Sequence, residues 1–140
     1  SNNSEMLREL SEDPYFVHKP TFRSLKGIVD LMDESYLDAE IYLKNPKYDT
    51  LLLVPIRDEI VPRKPLIKIL EKTYSKKNSE KLKIKIYEDS FHMILRDNQG
   101  DNVAEDIKKW ILERNNFYPE ISIEKSTYRL NTEKFYHRLD

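Results

Sequence analysis

The order of apolar patterns along the chain predicts an α/β fold built on a short parallel sheet with flanking helices, and three observations carry that prediction. Thr50 to Ile56 (TLLLVPI) is a near-continuous apolar run bounded by turn residues, as in a central parallel strand buried on both faces. Leu82, Ile84 and Ile86 alternate with Lys83 and Lys85, the period of two that gives an edge strand one wet face. Helical spacing fills the stretches before, between and after them. The order helix, strand, helix, strand, helix implies parallel strands joined by right-handed crossovers.

The elements follow from local chemistry. Ser4 can cap a short helix over Glu5 to Leu10, which Ser11-Glu12-Asp13-Pro14 ends by turn chemistry. Thr21, following Pro20, caps the next. Phe22, Leu25, Ile28, Val29, Met32, Tyr36, Ala39 and Leu43 recur at three and four, so one long amphipathic helix or two joined helices run to about Leu43. Asn45-Pro46 closes it. Pro65 suits the first position of a helix carrying Leu66, Ile67, Ile69 and Leu70, and the polar Ser75 to Lys81 reads as a solvated loop. Asp101 or Asn102 can start a helix with Val103, Ile107, Trp110 and Ile111 on one face, ending near Asn115-Asn116. The tail from Pro119 has a weak strand pattern at Ile121 and Ile123 and stays open between strand, helix and docking arm.

Composition narrows the functions available. The 140 residues are about one domain, 39% hydrophobic and 35% charged, with 24 Lys+Arg against 25 Asp+Glu. That is too apolar for disorder and too balanced for electrostatic nucleic-acid binding. The chain has no cysteine, which excludes a disulfide scaffold, a thiolate metal site and a cysteine nucleophile, and fits a reducing, cytoplasmic setting. The longest apolar run, Leu51 to Ile56, is far short of the roughly 20 residues of a membrane span. Only Gly27 and Gly100 are present, so no glycine-rich phosphate loop and no GxSxG elbow can form. Opening on Ser1 rather than methionine is expected of a processed, truncated or tagged product.

Two residues stand out because of where the strands put them. Asp58 comes two residues after Ile56, and His92 five residues after Tyr87. Loops leaving the carboxyl ends of neighbouring parallel strands open into one crevice, so a carboxylate and an imidazole can meet there. An Asp that accepts the Nδ1 proton of a His fixes its tautomer and leaves Nε2 as a base, the back half of a Ser-His-Asp relay. His18 has no evident partner, and His137 lies in the tail; both read as structural or surface residues. No helix carries two metal ligands at a spacing of four, and neither a metal nor a cofactor is expected. The lysines between Lys64 and Lys85 are interrupted by Glu71 and Glu80 and read as solvated. Tyr15, Phe16, Phe22 and Tyr36 could line an acyl pocket, but ordinary packing is the stronger reading.

LLLVPIRDEIVP (Leu51 to Pro62), KIYEDSFHMILRDNQ (Lys85 to Gln99) and DIKKWI (Asp106 to Ile111) together resemble the C-terminal part of the α/β-hydrolases, in particular the group of lysophospholipase, monoacylglycerol lipase and serine-aminopeptidase-like enzymes. The resemblance runs from about Asn2 to Arg114, with NNSEMLRELSEDP and the following helix similar to the piece leading from the family's cap back into the sheet. It implies a partial domain over residues 1–118, with a cap-return and helical segment at 1–48 and a β-α-β-α core at 49–118, followed by the unmatched tail 119–140. It further implies that Asp58 is the acid and His92 the histidine of a catalytic triad. Two departures stand out. Pro55 occupies a position where the family usually has glycine, and the nucleophile strand, its elbow serine and the oxyanion-hole loop have no counterpart here.

The expected function is therefore that of the C-terminal fragment of a serine ester hydrolase, inactive as this chain alone. It would act on an acyl-ester or lipid-like substrate only when complemented by a nucleophile half. The alternative is a non-catalytic split or decayed remnant that serves as an oligomerising or interaction module. A homodimer or larger assembly is expected, because Leu51, Leu52 and Leu53 lie on a strand whose second edge has no strand partner in the chain: that edge could pair with its copy across a two-fold axis, or the N-terminal helices or the Pro119 to Asp140 tail could cover it.

Overall fold

The computed structural model describes residues 1–61, 63–74 and 80–117. Within them the chain is mixed α/β: α1 (Ser4–Glu12), α2 (Phe22–Lys44), β1 (Thr50–Pro55), α3 (Arg63–Thr73), β2 (Leu82–Tyr87), α4 (Gly100–Leu112) and a short 3₁₀ turn (Arg114–Asn116). The two strands pair in parallel, Thr50 opposite Leu82 through Pro55 opposite Tyr87. The expectations placed on Pro62, on most of the 75–81 loop and on the 119–140 tail lie outside the described residues.

Side-chain alternation sorts the sheet into two faces. Val54 and Ile56 from the first strand and its exit join Leu82, Ile84 and Ile86 from the second, and on these pack Leu43 of α2 and Ile67, Ile69 and Leu70 of α3. Leu70 is fully buried, as the centre of such a cluster is. On the other face Lys85 and Tyr87 meet α4, where Asp106 accepts a 2.6 Å contact from the Lys85 ammonium and a 2.8 Å hydrogen bond from the Tyr87 hydroxyl. Burial, and then the adjacent Asp106 carboxylate, push the Tyr87 phenol well above its usual range.

Several expectations need correction. The cap of α1 is Asn3, whose side chain accepts from the Met6 amide, and the helix begins at Ser4 and runs on to Glu12. Arg63 begins α3, with Pro65 two residues further in; the first-turn amides have no intrahelical partner, so the proline costs nothing there. The expected Thr21 cap of α2 is present, and of the two alternatives the helix is the single continuous one. α4 starts at Gly100 and ends at Leu112, before the expected Asn115-Asn116. Only Val54 of β1 is buried within the strand, because among the described residues the sheet has two strands and none encloses the other edge of β1. The lysine face of β2 is half-buried rather than wet, since α4 lies over it. Among the described residues no helix is long and apolar enough to cross a membrane.

Candidate functional site

The strand ladder continues past β1. The Ile56 amide donates to the Tyr87 carbonyl at 2.9 Å and the Arg57 amide to the Ser90 carbonyl at 3.0 Å, so the exits of both strands are zipped together before either loop departs. That backbone pairing brings Asp58 beside His92, with Asp58 Oδ2 3.0 Å from His92 Nδ1. The other carboxylate oxygen accepts from the Ile60 amide at 2.8 Å and the Val61 amide at 3.0 Å, an Asx turn that leaves the side chain no rotational freedom. An ionised carboxylate only accepts, so the hydrogen bond at this contact is made by an imidazole that carries its proton on Nδ1. The Asp58 side chain is 10% exposed and that of His92 42%. The carboxylate is thus shielded while the imidazole faces solvent.

The loop carrying His92 is held by groups with no evident role in the bare sequence. Asp97, 5% exposed, accepts the Phe91 amide through Oδ2 at 2.6 Å and the Ser1 hydroxyl through Oδ1 at 2.6 Å. Its backbone amide donates to the Met93 carbonyl and its own carbonyl accepts from the Gly100 amide at 2.8 Å. Asn98 donates twice to Asn2, from its backbone amide to the Asn2 side-chain oxygen and from its side-chain amide to the Asn2 carbonyl, each at 2.9 Å, and Asn3 donates to the Arg96 carbonyl at 3.0 Å. The first three residues therefore lie along the back of the histidine loop. A carboxylate ahead of the turn Asn98-Gln99-Gly100 was the available signal, because Asp favours such backbone-bonding positions.

On the outer side Arg57 and Asp89 form a 2.6 Å ion pair, and the guanidinium lies 6.0 Å from the centre of the Phe91 ring. Both charged side chains are about half exposed, so the pair adds little stability. Ser90 is fully buried and its hydroxyl has no described partner. A hydroxyl in that state costs stability, so Ser90→Ala is expected to leave the melting temperature unchanged or to raise it. A loss of more than about 1 kcal/mol in denaturant titration would show that the hydroxyl is bonded after all.

The remaining candidates do not join the site. His18 is exposed and stacks edge-on against Phe16 at 5.0 Å, and His137 lies outside the described residues. Among the described residues no three His, Cys, Asp or Glu side chains cluster closely enough to hold a metal ion. Tyr15, Phe16 and Phe22 are all exposed, which overturns their reading as packed residues; only Tyr36 reaches the core. Within the lysine stretch Lys72 is ion-paired with Glu40 at 3.2 Å. Lys44 and Lys72 together hold the Glu40 carboxyl below its usual range. Two open depressions, one between α1 and the 95–101 turn and one beside Asp49 and Arg114, include neither Asp58 nor His92. No family model, no curated protein and no solved structure matches this chain.

Proposed function

We propose that this chain is the C-terminal part of a serine ester hydrolase of the lysophospholipase or monoacylglycerol lipase-like type, with His92 as general base and Asp58 as the carboxylate that orients it. The observation that supports the reading is the 3.0 Å Asp58–His92 contact at the carboxyl ends of two adjacent parallel strands. In the proposed reaction a serine from a separate segment gives its hydroxyl proton to His92 Nε2 as its oxygen attacks the ester carbonyl. Asp58 stabilises the imidazolium that forms, and His92 then passes the proton to the departing alcohol. Water repeats the cycle on the acyl-serine, which releases the acid and restores the base. The serine and the oxyanion donors belong to the complementing segment.

Nothing in this proposal gives the chain a nucleophile of its own. Ser90 is close to His92 in sequence yet fully buried, so a fluorophosphonate probe is expected to leave the purified chain unlabelled. Stoichiometric labelling that His92→Ala abolishes would show a serine of this chain acting as nucleophile and would refute the assignment. The pair itself is tested by nitrogen-15 spectra of the imidazole. The Nδ1–H tautomer with a hydrogen-bonded, slowly exchanging proton is expected, and Asp58→Ala should remove that signal. An identical His92 spectrum in both proteins would sink the dyad.

A second reading, an interaction module without chemistry, is favoured by one observation: the first half of α2 exposes Phe22, Leu25, Ile28 and Val29 together. Contiguous apolar surface of this kind marks an interaction site.

A further inference from the structure

We propose that the N-terminal half of α2 pairs antiparallel with the same half of a second copy of this chain, forming a two-fold dimer. This goes beyond the hydrolase reading and stands independently of it. Every residue over 22–35 is exposed, so about four turns of helix pack on nothing among the described residues. A helix of that length is marginal in water without tertiary contacts. The stripe it presents is regular: Phe22, Leu25, Val29, Met32, Tyr36, Ala39 and Leu43 alternate steps of three and four, the a and d spacing of a coiled coil. From Tyr36 onward that stripe is committed to the chain's own core. Before it the same stripe is open, with Phe22 93% and Val29 56% exposed.

Orientation and register follow from space and charge. In a parallel pair each core would need the volume the other occupies, because both sit at the same end of the same stripe. An antiparallel pair puts the two cores at opposite ends. Over 22–29 the charged residues are Arg23 and Lys26, and over 30–38 they are Asp30, Asp33, Glu34 and Asp38, so the basic half of one helix meets the acidic half of the other only when they run in opposite directions. Lys26 and Asp33 hold equivalent flanking positions of the heptad. Antiparallel packing sets Lys26, which in the single chain pairs with Asp30 one turn on, beside the partner's Asp33 and repeats the contact by symmetry, with Val29 facing the partner's Met32. Such a contact buries about 1,000 Å² in total, the floor for a specific interface, so the dimer is weak and concentration-dependent.

Sedimentation equilibrium on the full chain tests the dimer. The expected result is a monomer–dimer equilibrium that Val29→Asp weakens by roughly tenfold or more. Lys26→Asp and Asp33→Lys should each weaken it several-fold, and combining them should recover most of the affinity because the pairs are restored with reversed sign. All these positions are exposed, so the variants keep the fold. The chain has no cysteine, so a mixture of Val29→Cys and Met32→Cys proteins should cross-link under mild oxidation, whereas Leu31→Cys on the outer face should not. A chain that stays monomeric at several hundred micromolar overturns the proposal and leaves the face to a partner of different sequence. A dimer indifferent to Val29→Asp overturns it too, and points instead to the edge of β1 that has no strand partner among the described residues.

Discussion

Gly100→Ala is expected to lower the melting temperature by about 10 °C, the equivalent of roughly 3 kcal/mol for overpacking a site that cannot relax. A β-carbon built at Gly100 would lie 2.3 Å from the Leu95 carbonyl oxygen and 2.9 Å from its carbon. These are backbone atoms, so no rotamer change clears them. The turn that places them is fixed by the Arg96 and Asp97 amides, which both donate to the Met93 carbonyl. The glycine is needed for closeness rather than for an unusual backbone angle, since no glycine here has a positive φ. Because Gly100 also donates to the Asp97 carbonyl, moving the turn disturbs the histidine loop itself. Gly27 serves as the control: a β-carbon there meets nothing within 4 Å, so Gly27→Ala should be neutral or mildly stabilising through helix propensity. A melting temperature for Gly100→Ala within about 2 °C of the parent would mean that the close approach is not real.

The contrast between these two glycines parallels what the sequence makes legible and what it hides. Periodic apolar spacing located α2 and both strands, since burial of a face imposes a period, and the period survives whatever covers the face. The identity of the cover does not survive in it. β1 reads as doubly buried because Leu51, Leu52 and Leu53 are apolar on both sides, yet the described chain supplies cover for only part of it. β2 reads as half wet because lysines alternate with isoleucines, yet Lys85 finds Asp106, which lies on α4. Asn3 displaced Ser4 as the cap of α1 because both side chains can accept the same amides, and only tertiary contacts at the Arg96 carbonyl decide between them. The dyad was legible for a topological reason: strand exits in a parallel pair open together, so two loops distant in sequence could be matched. Asp97 was not, because its two side-chain bonds reach Phe91, six residues back, and Ser1, ninety-six residues back.

Asp97→Ala is expected to disconnect the His92 loop from the first residues of the chain and to release the imidazole from Asp58. The substitution leaves the Phe91 amide without its acceptor in a part-buried site, which costs about 1 kcal/mol, the lower end of the penalty for an unpaired buried donor. Phe91 is the residue before His92, so the backbone that aims the imidazole loses its nearest fixed point while the Asx turn holding Asp58 stays intact. A loop displacement of even 1 Å stretches the 3.0 Å contact beyond a useful hydrogen bond. The spectroscopic consequence is loss of the slowly exchanging Nδ1 proton of His92 under conditions where the rest of the chain remains folded by circular dichroism. Asp97→Asn is expected to keep most of that signal. Its amide oxygen can still accept from Phe91 while its NH₂ group donates to the Ser1 hydroxyl oxygen, so both connections survive without the charge. Retention of the Nδ1 proton in folded but destabilised Asp97→Ala would assign Asp97 to stability alone. Its loss in Asp97→Ala, with recovery in Asp97→Asn, makes Asp97 a positioning residue for His92 through its hydrogen bonds rather than its charge, because a purely global destabilisation would not single out one imidazole proton.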